Sequence, residues 1–290
     1  IRGGAFDVFN DNRASHMAEL PTAIKVAERH GKMAAVGQND LFGLAVNAEN
    51  AVDEVQDYAQ LVAAWTDKER LGFEKLALGL FLTGHPIDQY RSELKNIVHG
   101  RIADMVAKVE KSRGKIDVRL AGMLVGMRTR LDRKGQMMGF ATLDDKSARL
   151  DVAIYSEVFE SYKDIVKSDE ILVVEGTARI DHYSGGLSVT AEKIYNMEQA
   201  RENFVRSLAI KWDSTLVTAK TNDFMHQLEA LLQPFLGGKC PLMVHYSTAD
   251  DKAIVQLGDT WRIHPTDELL TRLQRLLGEG DATTTYLRYR

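Results

Sequence analysis

Cysteine is nearly missing from this chain: its 290 residues contain one, Cys240. A single thiol excludes a disulfide framework and leaves no cysteine cluster for zinc, so a reducing, cytoplasmic location is expected. Proline is scarce too, at five residues, and apolar content is ordinary, which excludes a low-complexity disordered chain. No apolar run approaches the roughly 18 residues a membrane helix needs, so no membrane partner is expected. A net charge of −4 argues against a uniformly basic coat for nucleic acid. Gly-rich phosphate loops followed by Lys-Ser or Lys-Thr, His-Glu-x-x-His and Gly-x-Ser-x-Gly are all missing. The carboxylate pairs Asp144-Asp145 and Asp250-Asp251 fall in expected turns, where Asp is common for backbone reasons. No catalytic residue, metal ligand or cofactor is therefore expected. The start at Ile1, with neither Met nor a signal-peptide pattern, reads as a piece of something longer.

What is present centres on Ile116–Asn196, where five strand-like runs follow one another: Val118–Arg130, Met137–Asp144, Leu150–Tyr155, Ile171–Ile180 and Ser188–Asn196. A helix is predicted over Glu157–Val166, from the spacing of Val158, Phe159, Tyr162 and Ile165. Asp132-Arg133-Lys134-Gly135, Asp144–Ser147 and Tyr183–Gly186 supply turn chemistry between the runs. Gly122, Gly126 and Gly139 fall inside strands, where Gly marks a bulge or the bend of a small barrel. Five strands with a helix after the third is the layout of an OB-fold barrel, a nucleic-acid-binding architecture.

The flanks complete a multi-domain α+β chain. Residues 1–114 read as a helical region, 115–200 as the barrel domain and 201–290 as a small β-α-β-β-α-β domain. In the helical region Pro21 is expected to break a helix or start a new turn, Thr66-Asp67-Lys68-Glu69 is a capping box opening a helix to about Leu82, and Ile87–Val98 is amphipathic. Lys108–Lys115 reads as a charged connector. His85, beside Pro86 in a turn, is expected to serve hydrogen bonding within the fold. The last domain carries eleven cations and eleven acids over Arg201–Arg290 and lacks aromatics on Lys252–Leu257, so protein contact is expected there in place of phosphate or base contact. The order suggests a split βαβ sandwich.

Two short stretches invite a binding reading. Arg128, Arg130, Arg133 and Lys134 form a local excess of four cations over one acid, Asp132, at the junction of the first two strands. There they suit phosphate contact or plain solvated surface. Phe140, His182 and Tyr183 are candidates for base stacking, Phe140 being equally suited to the barrel core. Gln38-Asn39-Asp40-Leu41-Phe42, bracketed by Gly37 and Gly43, reads either as a detachable peptide that seats Leu41 and Phe42 in a partner's pocket or as cover for its own core.

Taken together, Ile1-Arg2-Gly3-Gly4-Ala5-Phe6-Asp7, Gln38–Phe42, Leu78–Pro86, Gly139–Asp145 with Arg149–Val152, and Ser184–Leu187 resemble the C-terminal part of the bacterial DNA polymerase III alpha subunit, closest to the proteobacterial type. The resemblance spans the whole chain, in order. It implies a non-catalytic piece of a DNA-directed DNA polymerase, a nucleotidyltransferase whose palm acids and magnesium ions lie upstream. It further implies that Gln38, Asn39, Asp40, Leu41 and Phe42 bind the sliding clamp (the beta subunit). The barrel would bind single-stranded or primed template DNA through Arg128, Arg130, Arg133, Lys134, Phe140, His182 and Tyr183, and the last domain would dock the clamp loader's tau subunit. The alternative from the barrel alone is an anticodon-binding piece of an aminoacyl-tRNA synthetase, which would need ATP-binding motifs that are not visible.

Overall fold

The computed structural model describes residues 1–9, 12–35, 62–112, 114–167, 169–180, 186–213, 221–247, 251–277 and 282–286. The chain forms two compact units, Ile1–Gln89 and Tyr90–Arg290. No helix among the described residues is long and apolar enough to cross a membrane.

The first unit holds α1 (Arg13–Ala35) and α2 (Asp67–Leu78). The helix α1 runs through Pro21 without breaking, so the stop expected there is not made. Proline removes one intrahelical hydrogen bond, but Pro21 is exposed and the flanking turns hold. The capping box at Thr66 forms as read: Glu69 N–H donates to Thr66 Oγ1 at 3.3 Å, and Thr66 N–H donates to Glu69 Oε2 at 2.9 Å. The helix ends at Leu78, four residues early, because Gly79 takes φ +76° as the left-handed cap. In the turn that follows, His85 Nδ1 accepts from Ile87 N–H at 3.2 Å, a local role that matches the expectation.

At the centre of the unit lies a charged cluster. Arg13 donates to both oxygens of Asp7 at 2.7 and 2.6 Å and to Glu74 at 2.8 Å. Glu74, fully buried, accepts in turn from Leu82 N–H, Thr83 N–H and Thr83 Oγ1. Gly4 sits at φ +85°, and a Cβ there would lie 2.5 Å from Arg13 Nη2, so only glycine lets the Arg13–Asp7 pair close over it.

The second unit opens with α3 (Arg91–Ile97) and α4 (Ile102–Ser112), then builds the barrel from β1 (Ile116–Leu131), β2 (Met137–Asp144), β3 (Arg149–Ile154), β4 (Ile171–Ile180) and β5 (Leu187–Asn196), with α5 (Ser156–Tyr162) between β3 and β4. Going round, the strand order is β1-β2-β3-β5-β4, closed by the parallel pair β3–β5 with Val152 opposite Val189. The first half of β1 pairs with β4 and its second half with β2, with a register shift between Leu124 and Gly126. Just before it, a Cβ on Gly122 would lie 2.9 Å from the Leu143 Cβ, which is why the curl carries glycine. Leu120, Leu124, Leu143, Val152, Ile154, Leu172 and Ile194 fill the barrel, and α4 adds Ile102, Met105 and Val109 to the same core. The charged stretch expected to be a connector is therefore the tail of a helix that belongs to the barrel.

Beyond the barrel, α6 (Met197–Phe204) leads into a four-stranded sheet, order β10-β6-β8-β9, made of β6 (Val205–Asp213), β8 (Leu242–Ser247), β9 (Lys252–Gln256) and β10 (Ala282–Tyr286). A short strand β7 (Leu236–Cys240) precedes β8, and α7 (Thr221–Leu232) and α8 (Asp267–Leu277) supply Leu228, Leu232, Leu269 and Leu273 to a core with Leu208, Ile210 and Leu242. The six-element order is the one expected, but the βαβ is not split: β6 and β8, joined through α7, pair directly and in parallel. Cys240 lies in this core, where burial pushes its thiol up to about 11, the range of an inert structural cysteine.

Candidate nucleic-acid interface

The outer surface of the barrel is divided. On one side Arg119 of β1 donates twice to Glu175 of β4, at 2.9 and 2.5 Å, and stacks over Phe204 of α6 at 3.7 Å. It also reaches the Ile97 carbonyl of α3 at 3.1 Å. Tyr195 donates to the same Glu175 at 3.0 Å; burial and then this carboxylate raise its pKa above the usual tyrosine range. Ile171 and Val173 of β4, which point away from the barrel core, are nonetheless buried. That side is covered by the rest of the unit.

The other side, formed by the second half of β1 with β2 and β3, is open. Its residues follow from strand alternation. On β3, Leu150, Val152 and Ile154 face the core, while Arg149, Asp151 and Tyr155 just past the strand are exposed. On β2, Ala141 and Leu143 face the core and Phe140 and Thr142 are half-buried on the outside. On β1, Arg128 and Arg130 lie opposite Phe140 and Met138. The structure thus takes Phe140 out of the core and lays the Arg130 guanidinium over its ring at 5.1 Å.

The cations read from the sequence split into two kinds. Arg128 and Arg130 sit within β1, whereas Arg133 and Lys134 sit on the turn between β1 and β2. Arg128 donates to Asp151 at 2.8 Å, an exposed pair with side chains 73% and 51% accessible. Among the described residues no carboxylate is ion-paired with Arg130, Arg133 or Lys134. The turn is held by Asp132, which accepts from Gln136 N–H at 2.9 Å, Lys134 N–H at 2.8 Å and Ser156 Oγ at 3.0 Å. These bonds, led by that from Gln136, hold its carboxyl below the usual range, so it stays charged and keeps the cationic turn anchored to the start of α5. At the hairpin tip Leu131 and Met137 pair and stay exposed, at 64% and 49%.

His182 and Tyr183, and all of Gln38, Asn39, Asp40, Leu41 and Phe42, lie outside the described residues. Arg149, Asp151, Thr142 and Tyr155 share the open face without being among the contact residues expected from the sequence; their signal is the alternation with Leu150, Val152 and Ile154 on β3 and with Ala141 and Leu143 on β2. Asp145 belongs to a different task. It accepts from Ser147 N–H, Ala148 N–H and, at 2.8 Å, from Ile102 N–H at the head of α4, so the carboxylate pair of that turn serves the backbone as expected.

Residues 118–197 match a family model described as an OB-fold nucleic acid binding domain, and residues 227–278 match one described as DNA polymerase III subunit alpha, C-terminal domain. The chain is 36% identical to DNA polymerase III subunit alpha of Haemophilus influenzae over 97% of its own length and of Escherichia coli K12 over 96%. The Pseudomonas aeruginosa protein of the same name is 36% identical over 95% of the chain. The chain spans about a quarter of the length of these curated relatives, 22–23%.

Proposed function

We propose, for a chain related over nearly its whole length to the C-terminal region of the DNA polymerase III alpha subunit, a non-catalytic role within a replicative polymerase: it holds single-stranded template DNA on its barrel, a sliding clamp through Gln38–Phe42 and the clamp loader's tau subunit through its last domain. The observation that carries the barrel's part is the uncovered β1–β3 face, where Arg130 lies over Phe140, Arg133 and Lys134 extend the charge onto the adjoining turn, and among the described residues no carboxylate is ion-paired with these three. Phosphates would be neutralised by the cations while bases stack on Phe140, a contact worth roughly 1–3 kcal/mol per base. Support for the last domain's role is its balanced charge and its edge strand β9, whose Ile254 and Val255 are exposed, features that suit a protein partner. Support for the clamp role is the peptide's sequence alone.

Three free cations predict that log affinity for an oligo-dT falls with log salt at a slope near −2. Arg130→Ala with Arg133→Ala should weaken binding on the order of tenfold and flatten that slope toward −0.7, read by fluorescence anisotropy. Salt-independent binding, or an unchanged double variant, removes the barrel's DNA role. Separately, Leu41→Ala with Phe42→Ala should abolish co-elution with the clamp, since each side chain contributes about 1.5–3 kcal/mol when buried. Retained co-elution would return the peptide to the chain's own fold.

A further inference from the structure

Asp151 sits mid-strand on the open face, paired with Arg128, the first of that face's cations along β1. Aspartate is disfavoured in strands, so its place there calls for a reason. The other acids around this surface have one in the backbone. Asp132 holds the β1–β2 turn, Asp144 accepts from Lys146 N–H at 2.8 Å while its other oxygen pairs with Arg149 at 2.8 Å, and Asp145 holds Ser147, Ala148 and the head of α4. The Asp151 carboxylate meets only side chains: Thr142 Oγ1 at 2.5 Å from its own cross-strand neighbour, and Arg128 Nη2 at 2.8 Å. Nothing in the barrel's packing depends on it, since its side chain is half accessible and points away from the core.

We infer that Asp151 limits how tightly this face holds single-stranded nucleic acid, by occupying Arg128 as an internal competitor for phosphate; the inference rests on reading the barrel as a single-strand site. A phosphate and a carboxylate are acceptors of the same kind for a guanidinium. A strand that reaches Arg128 must displace Asp151, and the displaced carboxylate then stays within a few ångströms of the incoming phosphate and repels it. Arg128 therefore adds little net affinity, and the face grips through Arg130, Arg133 and Lys134. The arrangement suits a template that has to slide past the site.

The test uses the full chain and a fluorescein-labelled oligo-dT of roughly 16 nucleotides, followed by anisotropy across a salt series. Asp151→Asn keeps the shape and an acceptor for Thr142 but removes the charge. It should bind about three- to tenfold tighter at low salt, with a slope more negative by about 0.7 as Arg128 joins the site. Asp151→Glu should bind like the parent chain. Glu110→Gln, an exposed acid on α4 with the same change in net charge, should also leave binding unaltered. Asp151→Asn binding equal to or weaker than the parent overturns the inference, as does equal tightening by Glu110→Gln, which would assign the effect to overall charge. A parent chain that does not bind the oligonucleotide overturns the barrel reading itself, and the inference with it.

Discussion

Arg13 and Glu74 are charged side chains with almost no solvent access, 3% and 0%, and the segment Ile1–Asp7 is shaped around them. Burial alone would raise the Glu74 carboxyl. The bonds from Thr83, Arg13 and Leu82 outweigh it and bring the pKa down to about 2 from 4.5. A carboxyl whose folded pKa is depressed stabilises the fold fully above about pH 4.5, and that contribution fades as pH falls toward 2. Replacing Glu74 with Gln should therefore cost about 3 kcal/mol at pH 7 and much less near pH 2.5, measured as urea midpoints across that range. An equal loss at both pH values would mean the site works by shape and not by charge. The segments Ile1–Asp7 and Leu78–Pro86 carried part of the family resemblance. Here they supply Asp7, Gly4, Leu82 and Thr83 to one internal ion pair, a structural employment that their sequences do not announce.

Among the elements, those that obey a local rule were legible. The alternation in β4 and the turn chemistry at Asp132–Gly135 predicted their strands and loop, and Thr66 with Glu69 predicted the start of α2. Elements that depend on distant partners were not. The helix α4 reads as polar charge because only Ile102, Met105 and Val109 matter, and they matter only once the barrel is there to receive them. The direct pairing of β6 with β8 is a choice between two sheet orders that the same succession of elements allows. On the open face the cations stood out as a cluster, but the partnership of Arg128 with Asp151 crosses from β1 to β3, 23 residues apart, and no spacing rule reports it.

Within Tyr90–Arg290, the Arg201 side chain joins elements far apart in the chain. Arg201 of α6, 1% exposed, donates to both oxygens of Glu93 on α3 at 2.7 and 2.9 Å and pairs with Asp267 at the start of α8 at 2.6 Å. Tyr90 donates to the same Asp267 at 2.6 Å; burial, then that carboxylate, push its pKa above the usual range. A helix before the barrel, the helix after it and the helix α8 of the last domain thus meet on one guanidinium. Arg201→Met would take the guanidinium away from Glu93 and Asp267, whose side chains are 17% and 40% accessible, and should destabilise this unit by about 1–3 kcal/mol in urea unfolding. Adding Glu93→Gln and Asp267→Asn should recover part of the loss, because the stranded charges are gone; no recovery would argue that Arg201 acts through packing. The hydrogen bond from Ile102 to Asp145 has a further consequence, for synthesis. The head of α4 is seated by a turn 43 residues downstream, so as the chain leaves the ribosome that helix emerges first and finds no seat. Its three apolar side chains stay wet until the hairpin behind them is complete, and the barrel can seal only from the later strands back onto the earlier helix.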